Sequence, residues 1–216
     1  MPGKALQIDV VSDVVCPWCF VGKRQLEQAL VRLGSQQPGV EVQVRWHPFQ
    51  LNPDLAEEGM ARSEYLSAKF GSADTSRIYT NVRRAAATVG LDLAMEAIVR
   101  QPNTLRPHAL MEAAAGQGLQ DALAEALFVA YFQQGRDLSD ARQLAEIARA
   151  VGLSDEAIDQ ALLEDEPRQA ISQADNRARR AGIQGVPCFI FNGRHAVSGA
   201  QGADALVDAM TLALED

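Results

Sequence analysis

The sequence has few cysteines, few aromatic residues and no long uninterrupted apolar run. Its three cysteines are too few for a disulfide framework in a chain of 216 residues, and such sparse cysteines are more often catalytic or metal-binding. No window approaches the apolar length that spans a bilayer. Because no secretory signal precedes Cys16, we expect a cytoplasmic protein.

The charge and apolar content argue against a disordered chain and against binding to nucleic acids or membranes. The apolar share is 47%, which excludes a disordered chain, and the formal net charge is −8. An acidic surface repels phosphate groups, so we expect neither a nucleic acid nor a membrane as partner.

Alternating residues predict two strands near the N-terminus. Leu6, Ile8 and Val10 share one face of the first strand, and apolar residues alternate with polar ones from Val40 to Trp46. The helical pattern between the strands begins around Pro17, which suits a first helical turn. These elements form a βαβ unit with a right-handed crossover.

The rest of the chain predicts a helical block followed by a ββα unit. Residues 54–182 have an almost wholly helical pattern, and strand character returns at residues 188–191. Asn192-Gly193 is a strong hairpin signal before the next strand, and a last helix follows. The fold class is therefore α/β, with a large all-helical insertion (54–182) between the two halves (1–53 and 183–216) of one domain.

The main chemical motif is Cys16-Pro17-Trp18-Cys19, at the junction of a strand and a helix. Two intervening residues let the sulfurs meet across one helical turn. The helix N-terminus stabilises a thiolate at Cys16, and Cys19 can then resolve a mixed disulfide. The alternatives are half of a zinc site, which lacks further ligands at the right spacing, or two inert core cysteines.

A second motif, Gly185-Val186-Pro187, precedes the third strand of the sheet. An ordinary trans turn proline has the higher base rate at such a position. Beside a Cys-x-x-Cys motif at a strand–helix junction, we instead expect a cis Val186–Pro187 bond placed against the Cys16 sulfur.

On these motifs the chain resembles the DsbA-like oxidoreductases, and among them the FrnE-type group. The similar segments are Ser12-Asp13-Val14-Val15-Cys16-Pro17-Trp18-Cys19-Phe20-Val21-Gly22-Lys23, Trp46-His47-Pro48-Phe49-Gln50-Leu51-Asn52-Pro53, Asn103-Thr104 with His108, and Gly185-Val186-Pro187. The resemblance covers essentially the whole chain. It implies a thioredoxin-like fold and thiol–disulfide exchange, with Cys16, Cys19 and Pro187 catalytic.

The same resemblance suggests which residues contact the substrate. They are Pro17, Trp18 and Val186 beside the cysteines, together with Asn103 and His108, whose segment would face the active site. From the residues alone, a helix cap or a solvated loop is the commoner role for this last pair. Expected partners are protein or small-molecule thiols and disulfides, without a metal or a tightly bound cofactor.

Two other functions stay open. The related hydroxychromene-carboxylate isomerases and kappa-class glutathione transferases carry Ser where this motif stands. A glutathione-dependent isomerase or transferase acting on an aromatic or polyketide-like molecule is therefore the alternative, with glutathione as cosubstrate rather than redox partner. Cys19 favours exchange, because transfer needs no resolving thiol. A non-enzymatic chaperone using the helical block is the third possibility.

Asp13 and Cys188 each have two possible roles. A buried Asp13 can shuttle a proton to Cys19, but it can equally stabilise a turn. Strand alternation places Cys188 and Ile190 on one side and Phe189 and Phe191 on the other. We favour a buried, inert Cys188 over a third thiol that traps Cys16.

The remaining histidines and a cluster of arginines are predicted to lie at the surface. His47 lies on the polar face of a strand and His195 beside a hairpin turn. Arg177, Arg179 and Arg180 suit a solvated face near a helix C-terminus.

Overall fold

The computed structural model describes residues 4–71 and 75–215. In chain order the elements are β1 (Ala5–Ser12), α1 (Pro17–Gln36), β2 (Glu41–Pro48), β3 (Met60–Ala61), α2 (Arg62–Phe70), α3 (Thr75–Thr88), β4 (Arg100–Gln101), α4 (Leu105–Ala115), α5 (Gln120–Phe132), α6 (Ala141–Ala150), α7 (Asp155–Leu163), α8 (Asp165–Arg180), β5 (Cys188–Phe191), β6 (His195–Ser198) and α9 (Ala203–Glu215).

The main sheet is built from both ends of the chain, as the sequence predicts. Its strand order is β2-β1-β5-β6, with β1 parallel to β2 and antiparallel to β5. The βαβ and ββα halves therefore meet along β1 and β5. Strands β5 and β6 are joined at Asn192 and Gly193, whose positive φ angles of 49° and 66° match the primed turn of a tight hairpin.

Three details differ from the prediction. Helix α1 continues through Gly34 to Gln36, although a glycine there was expected to end the helix. Val42 is exposed although alternation placed it with the apolar residues, because β2 is an edge strand. The segment 54–182, predicted as all-helical, also contains the antiparallel pair β3–β4. Gly59 precedes this pair with a φ of 68°, and an added Cβ there would lie 2.3 Å from the Gln101 carbonyl oxygen.

The helical segment and the sheet share one hydrophobic core. The ring of Phe20 in α1 stacks on Phe128 in α5 with 5.2 Å between centroids, and it also stacks on Phe132. On its other side, α1 packs against the sheet through Gly22, which faces Pro187 and Phe189. Helix α1 is thus enclosed between the two parts of the chain. The domain boundaries at 54 and 182 stay a prediction.

An ion-pair network centred on one buried lysine joins α1 and α5 beside this core. The Lys23 ammonium, 3% exposed, lies within 4 Å of Glu27, Asp121 and Glu125. Burial lowers the pKa of Lys23, but the Glu27 hydrogen bond and the three carboxylate charges raise it further, so the net pKa is raised. Trp46 of β2 joins the network by donating its indole N–H to Asp121 at 3.1 Å.

The opposite face of the sheet carries a smaller cluster. Val11, Phe49 and Cys188 form its centre, and Ile190 packs against them, whereas Phe189 and Phe191 belong to the main core. The predicted alternation along β5 is therefore confirmed.

Two glycines of α1 allow a paired test of this packing. A Cβ on Gly22 would lie 2.9 Å from Pro187 Cγ and 3.0 Å from Phe189 Cζ, whereas a Cβ on Gly34 meets nothing within 4 Å. Overpacking lowers the free energy of unfolding by about 1–3 kcal/mol, and the better helix propensity of alanine raises it by about 1 kcal/mol. Gly22→Ala should therefore lower the free energy of unfolding by up to about 2 kcal/mol.

The matched variant Gly34→Ala should raise the free energy of unfolding by about 0.5–1 kcal/mol, since only helix propensity changes there. Urea titrations of both variants and the parent chain make the comparison. Equal stabilisation by both substitutions would contradict the close approach of Pro187 to α1.

Candidate active site

The first cysteine lies where β1 ends and α1 begins. Cys16 is the N-cap residue of α1, with extended backbone angles, and Pro17 occupies the first helical turn. The Cys16 carbonyl accepts hydrogen bonds from the N–H groups of Cys19 at 3.0 Å and Phe20 at 3.4 Å. This geometry places the Cys16 thiol at the positive end of the helix dipole, as the sequence predicts.

The second cysteine lies one turn deeper and is almost fully buried. Burial raises the pKa of the Cys19 thiol well above its usual value, and the hydrogen bond and charge of Cys16 raise it further. Contacts with the Ser12 side chain and the Asp13 backbone act in the opposite direction. At neutral pH the Cys19 thiol is therefore held in its protonated form more firmly than an ordinary thiol.

The loop before β5 completes the site. The Val186–Pro187 bond is cis, as predicted, and the Cys16 thiol donates a hydrogen bond of 3.6 Å to the Val186 carbonyl. This approach is possible because Gly22 offers no side chain against the Pro187 ring. Val186 and Pro187 are thus next to Cys16 in space, although they lie near the other end of the chain.

The residues between the cysteines form the outer rim of the site. Trp18 is 38% exposed, and Pro17 is half-buried. A large, partly exposed aromatic side chain beside a reactive thiol suits contact with a bound molecule.

Asn103 is held by hydrogen bonds to backbone groups. Its side-chain amide donates to the Leu55 carbonyl at 2.6 Å, and its oxygen accepts from the Leu105 N–H at 2.8 Å. These bonds fix the start of α4 to the loop that follows β2. A role of Asn103 in substrate binding stays a prediction.

His108 of α4 lies against the carboxylate of Asp13. Its Nε2 is 3.5 Å from Asp13 Oδ1, and both side chains are buried. The other oxygen, Asp13 Oδ2, accepts a hydrogen bond of 2.8 Å from the Leu51 N–H. The Asp13 backbone carbonyl accepts the Cys16 N–H at 3.0 Å, so the residue also forms the turn between β1 and α1.

Two surface predictions need correction. His47 is only partly exposed and lies 2.7 Å from Asp9 Oδ1. Arg179 is not simply solvated, because its guanidinium lies 4.3 Å from the centre of the Phe49 ring and donates to Asp175 at 2.9 Å.

Asp175 and Ser12 were assigned no role from the sequence. Asp175 is buried and accepts the Gln50 N–H at 2.9 Å, which anchors the loop that also supplies Leu51. No local signal marks Asp175. Ser12 directly precedes Asp13, close to the cysteine motif in the sequence. This proximity could have identified Ser12 as a candidate residue.

Cys188 lies on the other face of the sheet from the main core that holds Cys16 and Cys19. Burial raises the pKa of its thiol. Its surroundings are those of a small core residue, which supports the inert role favoured from the sequence.

Within residues 4–71 and 75–215, no group of three His, Cys, Asp or Glu side chains is placed to hold a metal ion. The described helices also include none that is both long and apolar enough to cross a membrane.

Comparison with known proteins yields one family and several close folds. A family model described as a DSBA-like thioredoxin domain matches residues 7–211. The chain is 28% identical over 210 residues to the uncharacterized protein YwbO of Bacillus subtilis (strain 168), covering 95% of this chain and 96% of YwbO.

Among solved structures, a probable DsbA oxidoreductase from Streptomyces coelicolor is 30% identical with a TM-score of 0.83, covering 98% of this chain and 91% of that one. The cytosolic disulfide reductase DsbM from Pseudomonas aeruginosa with GSH is 19% identical with a TM-score of 0.68, covering 97% and 100%. At that identity, the likeness to DsbM concerns the fold alone.

The unequal cysteines predict unequal alkylation. At neutral pH the raised pKa of Cys19 leaves it less ionised than an ordinary thiol, so iodoacetamide should modify it roughly tenfold or more slowly than Cys16. Peptide mapping by mass spectrometry at timed intervals measures both rates. In denaturant the two rates should converge, and unequal rates that persisted there would show that the fold is not their cause.

The surroundings of Cys188 predict a structural residue. Cys188→Ala should leave the alkylation rate of Cys16 unchanged and lower the free energy of unfolding by about 1 kcal/mol, because it leaves a small cavity. A complementary test uses Cys19→Ser under mild oxidation. A Cys16–Cys188 disulfide in the folded variant, seen by mass spectrometry, would instead establish Cys188 as a trapping thiol.

Proposed function

The chain belongs to the DsbA-like thioredoxin domain family, and on that basis we propose that it is a thiol–disulfide oxidoreductase working through Cys16 and Cys19. The observation that carries the proposal is the placement of the Cys16 thiol at the start of α1, 3.6 Å from the Val186 carbonyl, with Cys19 buried behind it. Exchange requires an attacking thiol favoured as thiolate and a second thiol that resolves the mixed disulfide.

The proposed reaction has two steps. The Cys16 thiolate, favoured by the helix N-terminus, attacks one sulfur of a substrate disulfide and releases the first substrate thiol. The Cys19 thiolate then attacks Cys16 in the mixed disulfide and releases the second thiol. Two electrons and two protons pass to the substrate, and the protein is left with a Cys16–Cys19 disulfide. The reverse sequence oxidises a dithiol.

The surroundings of Cys16 suggest how a partner is held. When Cys16 becomes a thiolate it no longer donates to the Val186 carbonyl, so that carbonyl is free to accept a hydrogen bond from a bound chain. Trp18 and Pro17 supply partly exposed apolar surface on the other side of the sulfur. We propose protein disulfides and small disulfides such as oxidised glutathione as substrates.

We further propose that the protein acts in the cytosol. The reducing poise of that compartment keeps most Cys-x-x-Cys sites in the dithiol form, which favours reductase or isomerase work over oxidation. The three cysteines are all free in the described structure, so none is committed to a structural disulfide.

Single cysteine variants test the mechanism. Cys16→Ser should reduce turnover of insulin disulfides and oxidised glutathione to the background rate, because no attacking thiol remains. Cys19→Ser should complete the first step and stop as a mixed disulfide on Cys16, visible as added mass. Cys188→Ala is the matched control and should retain activity.

Other outcomes separate the competing functions. If Cys19→Ser keeps full turnover in glutathione addition to an aromatic electrophile, while the parent chain reduces no disulfide, the protein is a transferase. If a variant lacking both Cys16 and Cys19 still suppresses aggregation of a denatured client as well as the parent chain, the protein is a chaperone.

A further inference from the structure

The outer edge of β2 presents backbone groups that a sheet normally pairs. This strand lies at the end of the sheet order, and the Glu41 N–H donates to the Lys4 carbonyl at 2.9 Å. Alternate residues from Glu41 onward therefore bond β1, and the residues between them point outward. Within residues 4–71 and 75–215, no hydrogen bond reaches the outward groups of Val42 and Val44. An exposed edge of this kind is a template for another strand.

The chain itself covers only the far end of this edge. At Trp46 the Gln120 side chain takes the place of a neighbouring strand, since it accepts the Trp46 N–H at 2.9 Å and donates to the Trp46 carbonyl at 3.0 Å. Next to Val44, a groove of about 550 Å³ lies between the strand and Gly116 and Gly118, which have no side chains to fill it. The free part of the edge is therefore short, and it has room beside it.

One antiparallel register pairs this free edge with the same edge of a second copy. Outward residues must face outward residues, so Val42 can pair with Val44 of the other strand. That register leaves Trp46 on its Gln120 cap. The two-fold axis then passes through Gln43, and each Glu41 lies directly opposite Arg45 of the other copy.

The neighbouring registers use groups that are already engaged. Pairing Val44 with Val44 would place Val42 against Trp46, whose backbone groups Gln120 occupies. Pairing Val42 with Val42 would place Val44 against Val40, whose N–H donates to the Gln37 carbonyl at 3.4 Å. The backbone thus favours the register centred on Gln43.

Charge favours the same register. The chain has a formal net charge of −8, which opposes association unless the contact brings opposite charges together. Glu41 and Arg45 lie on one face of β2, and both are exposed. Arg45 lies 3.2 Å from Glu112 but remains 53% exposed, so its guanidinium has donors left for a second carboxylate.

We propose that two copies of this chain associate through β2, in antiparallel pairing centred on Gln43, and so form one continuous sheet with two-fold symmetry. Val42 pairs with Val44 twice, and Glu41 meets Arg45 twice. The inference goes beyond the proposed exchange function. Val42 is paired with Leu6 near the beginning of β1, whereas Cys16 follows the other end of that strand, so association leaves both active sites open.

Charge reversal tests the register. In Glu41→Arg both contacts become Arg–Arg, and in Arg45→Glu both become Glu–Glu, so each variant alone should associate about tenfold more weakly than the parent chain. An equimolar mixture of the two variants restores opposite charges at both contacts. It should form a mixed dimer that is tighter than either variant forms alone. Sedimentation equilibrium over a wide range of protein concentration measures each dissociation constant.

A backbone substitution tests the hydrogen bonds. Val42→Pro removes an outward N–H but no bond to β1, so the chain should fold and remain monomeric. Val42→Ala keeps the N–H and is the matched control, which should still associate. The iodoacetamide alkylation rate of Cys16 should be the parental rate in both variants, because the active site lies elsewhere. If Val42→Pro does not fold, the charge-reversal variants decide alone.

Three results would overturn the proposal. A parent chain that stays monomeric at every concentration would leave this edge to a strand of another protein. A parent dimer that neither charge reversal nor Val42→Pro weakens would place the interface elsewhere. A mixture of Glu41→Arg and Arg45→Glu that associates no more tightly than either variant alone would show that these two residues do not face each other.

Discussion

The structure depends on the burial of α1 between the sheet and the helical segment. One side of α1 approaches the sheet through Gly22, where Pro187 and Phe189 leave no space for a side chain. The other side stacks Phe20 on Phe128 of α5. Because the first residue of this helix follows Cys16 directly, the same packing that stabilises the core sets the position of both thiols. The Cys16 thiol is thus held at the start of a well-packed helix, and the loop before β5 approaches it.

Polar groups are buried mainly where the two parts of the chain meet. Lys23 binds carboxylates of α1 and α5, Asp175 of α8 holds the loop after β2, and Asp13 meets His108 of α4. Buried ion pairs and hydrogen bonds contribute less net stability than apolar contacts, but they are intolerant of misplacement. These polar contacts therefore fix how the helical segment packs on the sheet. The helical segment also places one of its own side chains, His108, beside Asp13.

Local sequence patterns predicted many of the strands and helices and where they begin or end. Alternation marked β1, Pro17 marked the beginning of α1, and Asn192-Gly193 marked the hairpin after β5, since each depends on near neighbours in the chain. The short β3–β4 pair was missed, because two-residue strands carry no periodic signal. Arg179 was misread for a related reason. Its helical position favoured a solvated face, whereas the Phe49 ring that it covers comes from a distant loop.

Local sequence was sufficient to place two cysteines at a strand–helix junction and to separate Cys188 from Phe189 by strand alternation, because backbone periodicity is a property of neighbouring residues. Together with the cysteine motif, the local sequence also predicted the cis Val186–Pro187 bond. Tertiary packing alone decided that the Val186 carbonyl is the group in this loop that accepts the Cys16 hydrogen bond, and that His108 meets Asp13. Those contacts join elements far apart in the chain, and their geometry follows from how helices and sheet fill one core, which no local pattern encodes.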